Sequence, residues 1–330
     1  MIIPPKYSLT EKISELLSSI EGSRQVIESL TVDPKIELNI RRESTLKSSL
    51  YSARIEGNPL TLDELAGRAS KDQKRIEIYN ILKAINWVKE KAGINTNKND
   101  ILTLHKIVMS DLSDSESLGR FRNNMEAIFN SAGTVVYMPP PANSIDQLIS
   151  ELVKFINSPK ERSTPIRAVI AHFIFEKIHP FLDGNGRVGR LIIQKVLFQG
   201  GYGMKGFVSL EEYFDDHRSE YYRLLEESEK DVTNYIEFML EAISKQAKKS
   251  KELLISKQKG EIEDFLLPRR AEILKIIKDH KIVNFDQIRR RFRKVNERTL
   301  RYDLKKLQDQ NFVRKLGTTK GAYYTQNRNN

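Results

Sequence analysis

One run of twelve residues, HPFLDGNGRVGR (179–190), gathers a histidine, a carboxylate, three glycines and two arginines. An imidazole such as His179 exchanges a proton near neutral pH. Gly184 and Gly186 let a backbone turn tightly and bring amide donors close to an anion. A helix starting near Arg187 would aim its positive end at the same point. Arg187 and Arg190 stand three apart on one helical face, and each can grip phosphate oxygens in a fork. Asn185 adds a side-chain donor. Asp183 would repel phosphate unless a cation lies between them. Magnesium takes one or two carboxylates together with phosphate oxygens, so Asp183 is read as its ligand. The set describes a triphosphate site with a proton acceptor beside it.

Two other readings of the same run are weaker. Gly184, Gly186 and Gly189 spell a dinucleotide fingerprint, which needs a strand just before the first glycine and an acid about 20 residues on. The preceding IRAVIAHFIFEKIHPFLD is long, fits a buried helix ended at Pro180, and the next acids are Glu211 and Glu212. A metal triad of His172, Glu176 and His179 has helical spacing for two members, but it lacks the usual zinc motif and would consume the proposed base. His172 is read instead as a buried structural residue.

The run matches every fixed position of the Fic motif, H-x-F-x-D/E-G-N-G-R-x-x-R, and the chain thereby resembles the Fic family. The resemblance implies a mainly α fold and transfer of AMP from ATP to a Ser, Thr or Tyr hydroxyl of a protein. It implies that His179 deprotonates the target and that Asp183 holds magnesium at the α/β-phosphates. Gly184, Asn185 and Gly186 would form the anion nest, Arg187 would bind the β/γ region and Arg190 the γ-phosphate, with Phe181 a buried wedge. Relatives also move UMP, phosphate or phosphocholine. Gly186 argues against the phosphate-transferring branch, where a lysine takes that place.

Two further stretches are similar to the family. MEAIFNSAGTVVYMPPP (125–141) contains two strand-like runs, Met125–Phe129 and Thr134–Met138, around the turn 130–133. In the family a β-hairpin flap docks a target segment by strand addition, which assigns Thr134, Val135, Val136, Tyr137 and Met138 to that task. Gly119-Arg120-Phe121-Arg122 just upstream also looks like the family. SARIEG (52–57) ends a helix with a carboxylate where cations are favoured. It resembles the inhibitory pattern S/T-x-x-x-E-G/N, implying that Glu56, with Ser52 on the same face, pairs with Arg190 and blocks the γ-phosphate. Some relatives use this glutamate to remove AMP, a second direction open to Glu56.

The elements that must position these residues are read as helices almost throughout. They cover SLTEKISELLSSIEGSRQVIESL with Ser8 and Thr10 as caps, about Lys35 to Gly57-Asn58-Pro59, about 61–69, 72–92 and 98–112, then SIDQLISELVKFIN capped by Asn143, and TPIRAVIAHFIFEKI and GRVGRLIIQKVLFQ. The expected organisation is an N-terminal helical region (1–95), a catalytic core (96–230), a connecting helix (231–267) and a last domain (268–330). Residues 268–330 carry 18 Lys and Arg against 6 Asp and Glu, a surplus of 12, which leaves the rest of a +11 chain at −1.

That basic tail, with RTLRYDLKKL as its recognition helix, resembles a winged helix-turn-helix. Ile273, Ile276, Ile277, Ile288, Leu300, Leu304 and Leu307 would form its core. Arg298, Arg301 and Lys305 would face outwards, and Lys320 would tip the wing, as DNA-binding candidates. A DNA-binding regulator whose Fic body senses nucleotide is the rival from another class. There are no cysteines, which excludes disulfides and thiolate zinc sites. No apolar run approaches the roughly 18 residues of a spanning helix. The start, MIIPPKYSLTEK, does not read as an export signal. The expectation is a cytoplasmic protein with no membrane partner; a homodimer is allowed.

Overall fold

A computed structural model describes residues 1–65, 72–129, 135–258, 262–317 and 322–327. The chain runs through α1 (Glu11–Ser29), α2 (Pro34–Ile55), α3 (Leu62–Leu65), α4 (Gln73–Glu90) and α5 (Lys98–Val108), then strands β1 (Ile128–Phe129) and β2 (Val135–Tyr137). Next come α6 (Ile145–Ile156), α7 (Thr164–Ile178), α8 (Asn185–Gln199), α9 (Leu210–Asp216), α10 (Arg218–Leu225) and α11 (Thr233–Ser256). α12 (Pro268–His280), β3 (Ile282–Asn284), α13 (Phe285–Arg291), α14 (Glu297–Asp309), β4 (Val313–Leu316) and β5 (Tyr323–Gln326) follow. Mainly α is therefore the observed class. Among the described residues no helix is long and apolar enough to cross a membrane.

The chain divides into two compact units. The first comprises Met1–Leu30, Ser44–Pro59 and Asp72–Leu253, the second Thr31–Glu43, Leu60–Lys71 and Leu254–Asn330. The heart of the first is α7, whose buried residues lie on every face, as befits a helix surrounded by others. It packs against α6 and α8, and α8 in turn against α4 and α5. The Ser163 side chain caps the start of α7 by accepting from Ile166 N–H, with Pro165 in the first turn. At the other end His179 adopts a left-handed conformation (φ 46°) before Pro180, which stops the helix and turns the chain into the motif loop.

Local expectations met mixed outcomes. Thr10 caps α1 through its side chain. Asn143 is not the cap of α6: a short 3-10 turn, Ala142–Ser144, precedes that helix, and Ser144 stands at the cap position with its hydroxyl on Pro141 O. α5 ends at Val108, short of the expected 112, with Met109 as its cap and Asp111 beyond it at a positive φ of 60°. Of the helix expected at 61–69, Leu62–Leu65 is seen and 66–69 lie outside the described residues.

In the second unit α12, α13 and α14 pack with a sheet of order β3-β5-β4, antiparallel throughout. Strand β3 was not expected. It has only three residues, too few to display a period, and follows Lys281 at φ 62°. The core contains Ile273, Ile277, Ile288, Leu300, Leu304 and Leu307 as anticipated, joined by Leu274, Val283, Phe285, Val313 and Tyr324; Ile276 is only partly buried against it. Asp303 is buried on α14 and accepts from Arg269 Nε and, at 2.9 Å, from Arg270 Nε, tying α12 to α14.

Candidate functional site

The loop from α7 to α8 is held by its own side chains. Asn185 Oδ1 accepts from Phe181 N–H at 2.9 Å, and Asn185 Nδ2 donates to Phe181 O at 2.7 Å. Asn185 thus closes the loop with its Oδ1 and one of its two Nδ2 hydrogens, and the second hydrogen has no acceptor among these bonds. Phe181 is fully buried, as the wedge reading required, and stacks on His105 with ring centroids 3.8 Å apart. Gly184 has φ 81°, and a Cβ there would lie 2.7 Å from Met109 Sδ, so glycine is needed for both conformation and space. The α8 amides that follow have no intrahelical acceptors and open towards the loop.

Three residues outside the motif hold this loop, and the sequence reading missed their parts. Gly119 N–H donates to His105 Nδ1 at 2.9 Å, which makes Nδ1 the acceptor; Nε2 therefore carries the proton and donates to Asp183 O at 3.1 Å. Arg122, with a side chain fully withdrawn from solvent, donates to the carbonyls of His179 (2.8 Å), Asn124 (2.8 Å) and Pro140 (2.6 Å). Its backbone N–H reaches Pro180 O at 2.9 Å. Glu77 on α4 pairs with Arg187 Nη1 at 2.7 Å. GRFR drew attention in the sequence, but only the tertiary structure assigns Arg122 to clamping the His179 backbone.

Each arginine of the motif already has an acidic partner. Arg187 is buried between Glu77 and Asp183, whose Oδ1 accepts from Nη2 at 2.8 Å. Arg190 is 1% exposed. Its Nε donates to Ser52 Oγ (3.0 Å), and its Nη2 donates to Ser52 O (2.9 Å) and Glu56 Oε1 (2.8 Å). Burial works against the Arg190 charge, but the Glu56 carboxylate, together with Tyr221 and Tyr222, outweighs it and holds its proton affinity above the usual range. A Cβ on Gly186 would stand 2.5 Å from Glu56 Oε1, so this carboxylate lies directly against the start of α8. An anion therefore occupies the positive end of that helix.

His179 is mostly enclosed, and burial pushes its imidazole down to about 4. The ring is neutral at physiological pH. Its Nδ1 is buried and finds no acceptor in hydrogen-bonding geometry, although the Glu176 carbonyl is close enough to favour a proton there. Burial likewise moves His105 down to about 4 and His172 to about 3. His172 is a core residue, as read from the sequence: Nδ1 and Nε2 contact the hydroxyls of Tyr235 (2.6 Å) and Tyr221 (2.9 Å). Glu176 is pushed up to about 8 by burial, against the pull of Arg190.

Among the described residues no cluster of three or more His, Cys, Asp or Glu is arranged to hold a metal, so the His172–Glu176–His179 triad is not formed. A magnesium ion completed by phosphate oxygens needs less, one or two carboxylates. Asp183 meets that need: its side chain is 66% exposed, with Oδ1 on Gly184 N–H and Arg187.

The hairpin is shorter than expected. Ile128 pairs with Tyr137 and Phe129 with Val135, with an irregularity between them. Tyr137 is turned to the body and donates its hydroxyl to Lys177 O at 3.0 Å, whereas Val135 and Met138 are exposed. Thr134 and the turn 130–133 lie outside the described residues, as does Lys320. In the second unit Arg298, Arg301 and Lys305 are exposed along α14, opposite Leu300, Leu304 and Leu307. Arg301 lies over the Phe285 ring at 3.9 Å.

Residues 95–197 match the family described as Fic/DOC. The protein adenylyltransferase Fic of Drosophila mojavensis is 28% identical over 243 residues, 69% of this chain and 46% of that protein. That of Drosophila melanogaster is 26% identical over 244 residues, with the same coverage. The chain thus spans less than half the length of these curated relatives. A crystal structure of a Fic family protein from Desulfovibrio desulfuricans G20 superimposes with a TM-score of 0.67 at 24% identity, covering 99% of each chain. A Fic domain containing signaling protein from Bacteroides thetaiotaomicron VPI-5482 gives 0.60 at 20% identity over 76% of this chain and 98% of that one. These two likenesses concern the fold.

Proposed function

We propose, on the premise that this chain belongs to the Fic/DOC family through residues 95–197, that it is a protein adenylyltransferase restrained by its own Glu56. The relatives named protein adenylyltransferase support the reaction class. The observation that carries the reading is the Arg190–Glu56 pair set against Gly186, beside a neutral imidazole. An acidic side chain stands where a phosphate would be drawn.

The step is one displacement on ATP. His179 accepts the proton of a target Ser, Thr or Tyr hydroxyl, on another protein or on this chain. The oxygen forms a bond to the α-phosphorus, the bond from that phosphorus to the β-bridging oxygen breaks, and pyrophosphate leaves with the electron pair. The incoming triphosphate is itself an anion. Its charge would raise the proton affinity of His179, which burial holds low without ligand, in the direction that suits a general base. The first amides of α8, at Asn185, Gly186 and Arg187, would hold phosphate oxygens. Asp183 would hold magnesium, which supplies neutralisation of the phosphate charge. Arg187 would exchange part of its hold on Glu77 and Asp183 for the β/γ oxygens. Arg190 reaches the γ-phosphate only after Glu56 withdraws. The backbone of Val135, Val136 and Tyr137 would align the target by adding its segment to β2, with Met138 at the end of that edge.

For the C-terminal unit the reading is a winged helix that binds DNA. The exposed Arg298, Arg301 and Lys305 on α14 favour it, since a helix with a buried apolar stripe and a basic outer face can enter a major groove.

Mass spectrometry of the Glu56→Gly protein after incubation with magnesium and each nucleoside triphosphate tests the main reading, with His179→Ala as control. A gain of one AMP from ATP supports it. A gain of UMP or phosphate replaces the donor. Bound nucleotide without covalent gain, together with altered DNA affinity, would replace the enzyme with a regulator.

A further inference from the structure

We propose that Arg218 and Tyr222 of α10 are positioning residues that bolt down the last turn of α2 and so keep Glu56 on Arg190. The proposal rests on the inhibitory reading of Glu56. It concerns a question that reading leaves open: what keeps a carboxylate at the end of a helix, where its charge is locally unfavourable, fixed in one place.

A helix ends with carbonyls that have no intrahelical donor. Those of α2 can be followed one by one. Ser52 O accepts from Arg190 Nη2 (2.9 Å), and Ala53 O accepts from the amides of Glu56 and Asn58 (both 3.1 Å). Arg54 O accepts from the Gly57 amide (2.9 Å) and from Arg218 Nη2 (2.6 Å). Ile55 O accepts from the Tyr222 hydroxyl at 3.2 Å. Arg218 and Tyr222 are four residues apart, hence on one face of α10, and they grip two successive carbonyls just before Glu56.

The grip is reinforced. Asp215, almost wholly buried, accepts from Arg218 through Oδ1 and pairs with Arg54 through Oδ2 at 3.1 Å. Two cations, Arg54 and Arg218, joined through Asp215, thus stand at the negative end of α2, where positive charge is favoured. On the far side of Glu56, Asn58 Nδ2 donates to Lys74 O and to Glu77 Oε2, both at 2.8 Å. Burial, with the Glu56 carboxylate next, pushes the Tyr222 phenol up to about 12, so it remains a donor. Residue 56 therefore leaves a backbone tied down on both sides.

Loss of one neutral hydrogen bond corresponds to roughly a twofold to tenfold change in an equilibrium. Tyr222→Phe keeps the ring and removes only the donor; Arg218→Gln removes the cation. Two measurements separate the possibilities. Hydrogen exchange at the amides of residues 56–58 is expected to quicken in both variants, and unchanged exchange would overturn the clamp itself. Rates of AMP incorporation are then compared with and without Glu56. With Glu56 present the rate is expected to rise about twofold to tenfold in Tyr222→Phe and at least as much in Arg218→Gln, which loses a charge-assisted bond. In the Glu56→Gly background it is expected to stay within about twofold. Equal changes in both backgrounds would assign the residues to substrate binding or general stability and overturn the proposal. Quickened exchange with no gain from Glu56→Gly would show that the clamp exists but that the inhibitory reading has failed, and with it the positioning role.

Discussion

Replacing Glu56 by glycine has consequences that can be worked through from the contacts of Arg190. The guanidinium is 1% exposed; among the described residues Glu56 is the carboxylate it pairs with, at 2.8 Å, and Ser52 provides two further acceptors. A charge-assisted bond of this kind contributes about 1.5–3 kcal/mol. On the proposed reading a γ-phosphate would have to displace it, which corresponds to roughly a tenfold to hundredfold handicap in productive ATP binding. Removing the carboxylate lifts that handicap. It also leaves a buried cation short of a counter-charge, a change that destabilises the ligand-free protein by up to about 3–5 kcal/mol. Two readouts should therefore move in opposite directions. In Glu56→Gly the melting temperature without nucleotide falls, while the stabilisation by magnesium and ATP grows by about 1–3 kcal/mol, as tighter ligand binding requires. Labelled-ATP incorporation rises tenfold to hundredfold or more. Glu56→Gln, which keeps a neutral partner for Arg190, should fall between the two. Equal incorporation by mutant and parent, with equal thermal shifts on adding ATP, would refute the reasoning.

Other expectations can be tested independently. His179→Ala should abolish incorporation while retaining ATP-induced thermal stabilisation, because in the proposed function the phosphates would be held by amides and arginines; loss of both would place His179 in binding instead. Glu176 is protonated in the folded state up to about 8 and ionises at its ordinary value of 4.5 when unfolded. Its stabilising contribution is complete below 4.5 and is lost as pH rises to 8, so stability should fall by about 1–2 kcal/mol between pH 7 and 9. Glu176→Gln should flatten that slope in thermal melts, and an unchanged slope would dispose of the assignment. The buried neutral histidines His105 and His172 act in the opposite sense: stability present above about 6.5 is lost as pH falls towards 4. Binding of Arg298→Glu and Arg301→Glu variants to duplex DNA should weaken and show a shallower salt dependence in fluorescence anisotropy. No binding by the parent at low salt would remove the DNA reading of the second unit.

The motif was legible because its chemistry is local. His179, Asp183 and the glycines follow one another, so spacing alone describes the turn they make. Glu56 was legible in two parts: a carboxylate in a last helical turn, before Gly57, is out of place by local rules, and the resemblance to the inhibitory pattern S/T-x-x-x-E-G/N implied which cation it meets. Its partner is 134 residues away. Partners at such distances leave no periodic trace. His105 looks like any residue on an amphipathic helix, and only the fold lays its ring on Phe181 and its Nε2–H on Asp183 O. The parts of Glu77 and Arg122 are likewise written in tertiary structure. The part Asn185 plays in closing the turn, through Phe181 N–H and Phe181 O, was not legible, because it depends on how tightly the loop folds back on itself. Asn143 misled because a 3-10 turn intervened before the helix it was expected to cap.

The central claim is that the turn after His179 presents the α-phosphorus of ATP to a hydroxyl. Its most direct measurement follows label from ATP marked on either the α- or the γ-phosphorus into protein, using the Glu56→Gly chain and the same chain lacking the imidazole. Stable incorporation of the α-label alone, dependent on His179, is the expected result. Incorporation of the γ-label, or α-label that persists without His179, would contradict it.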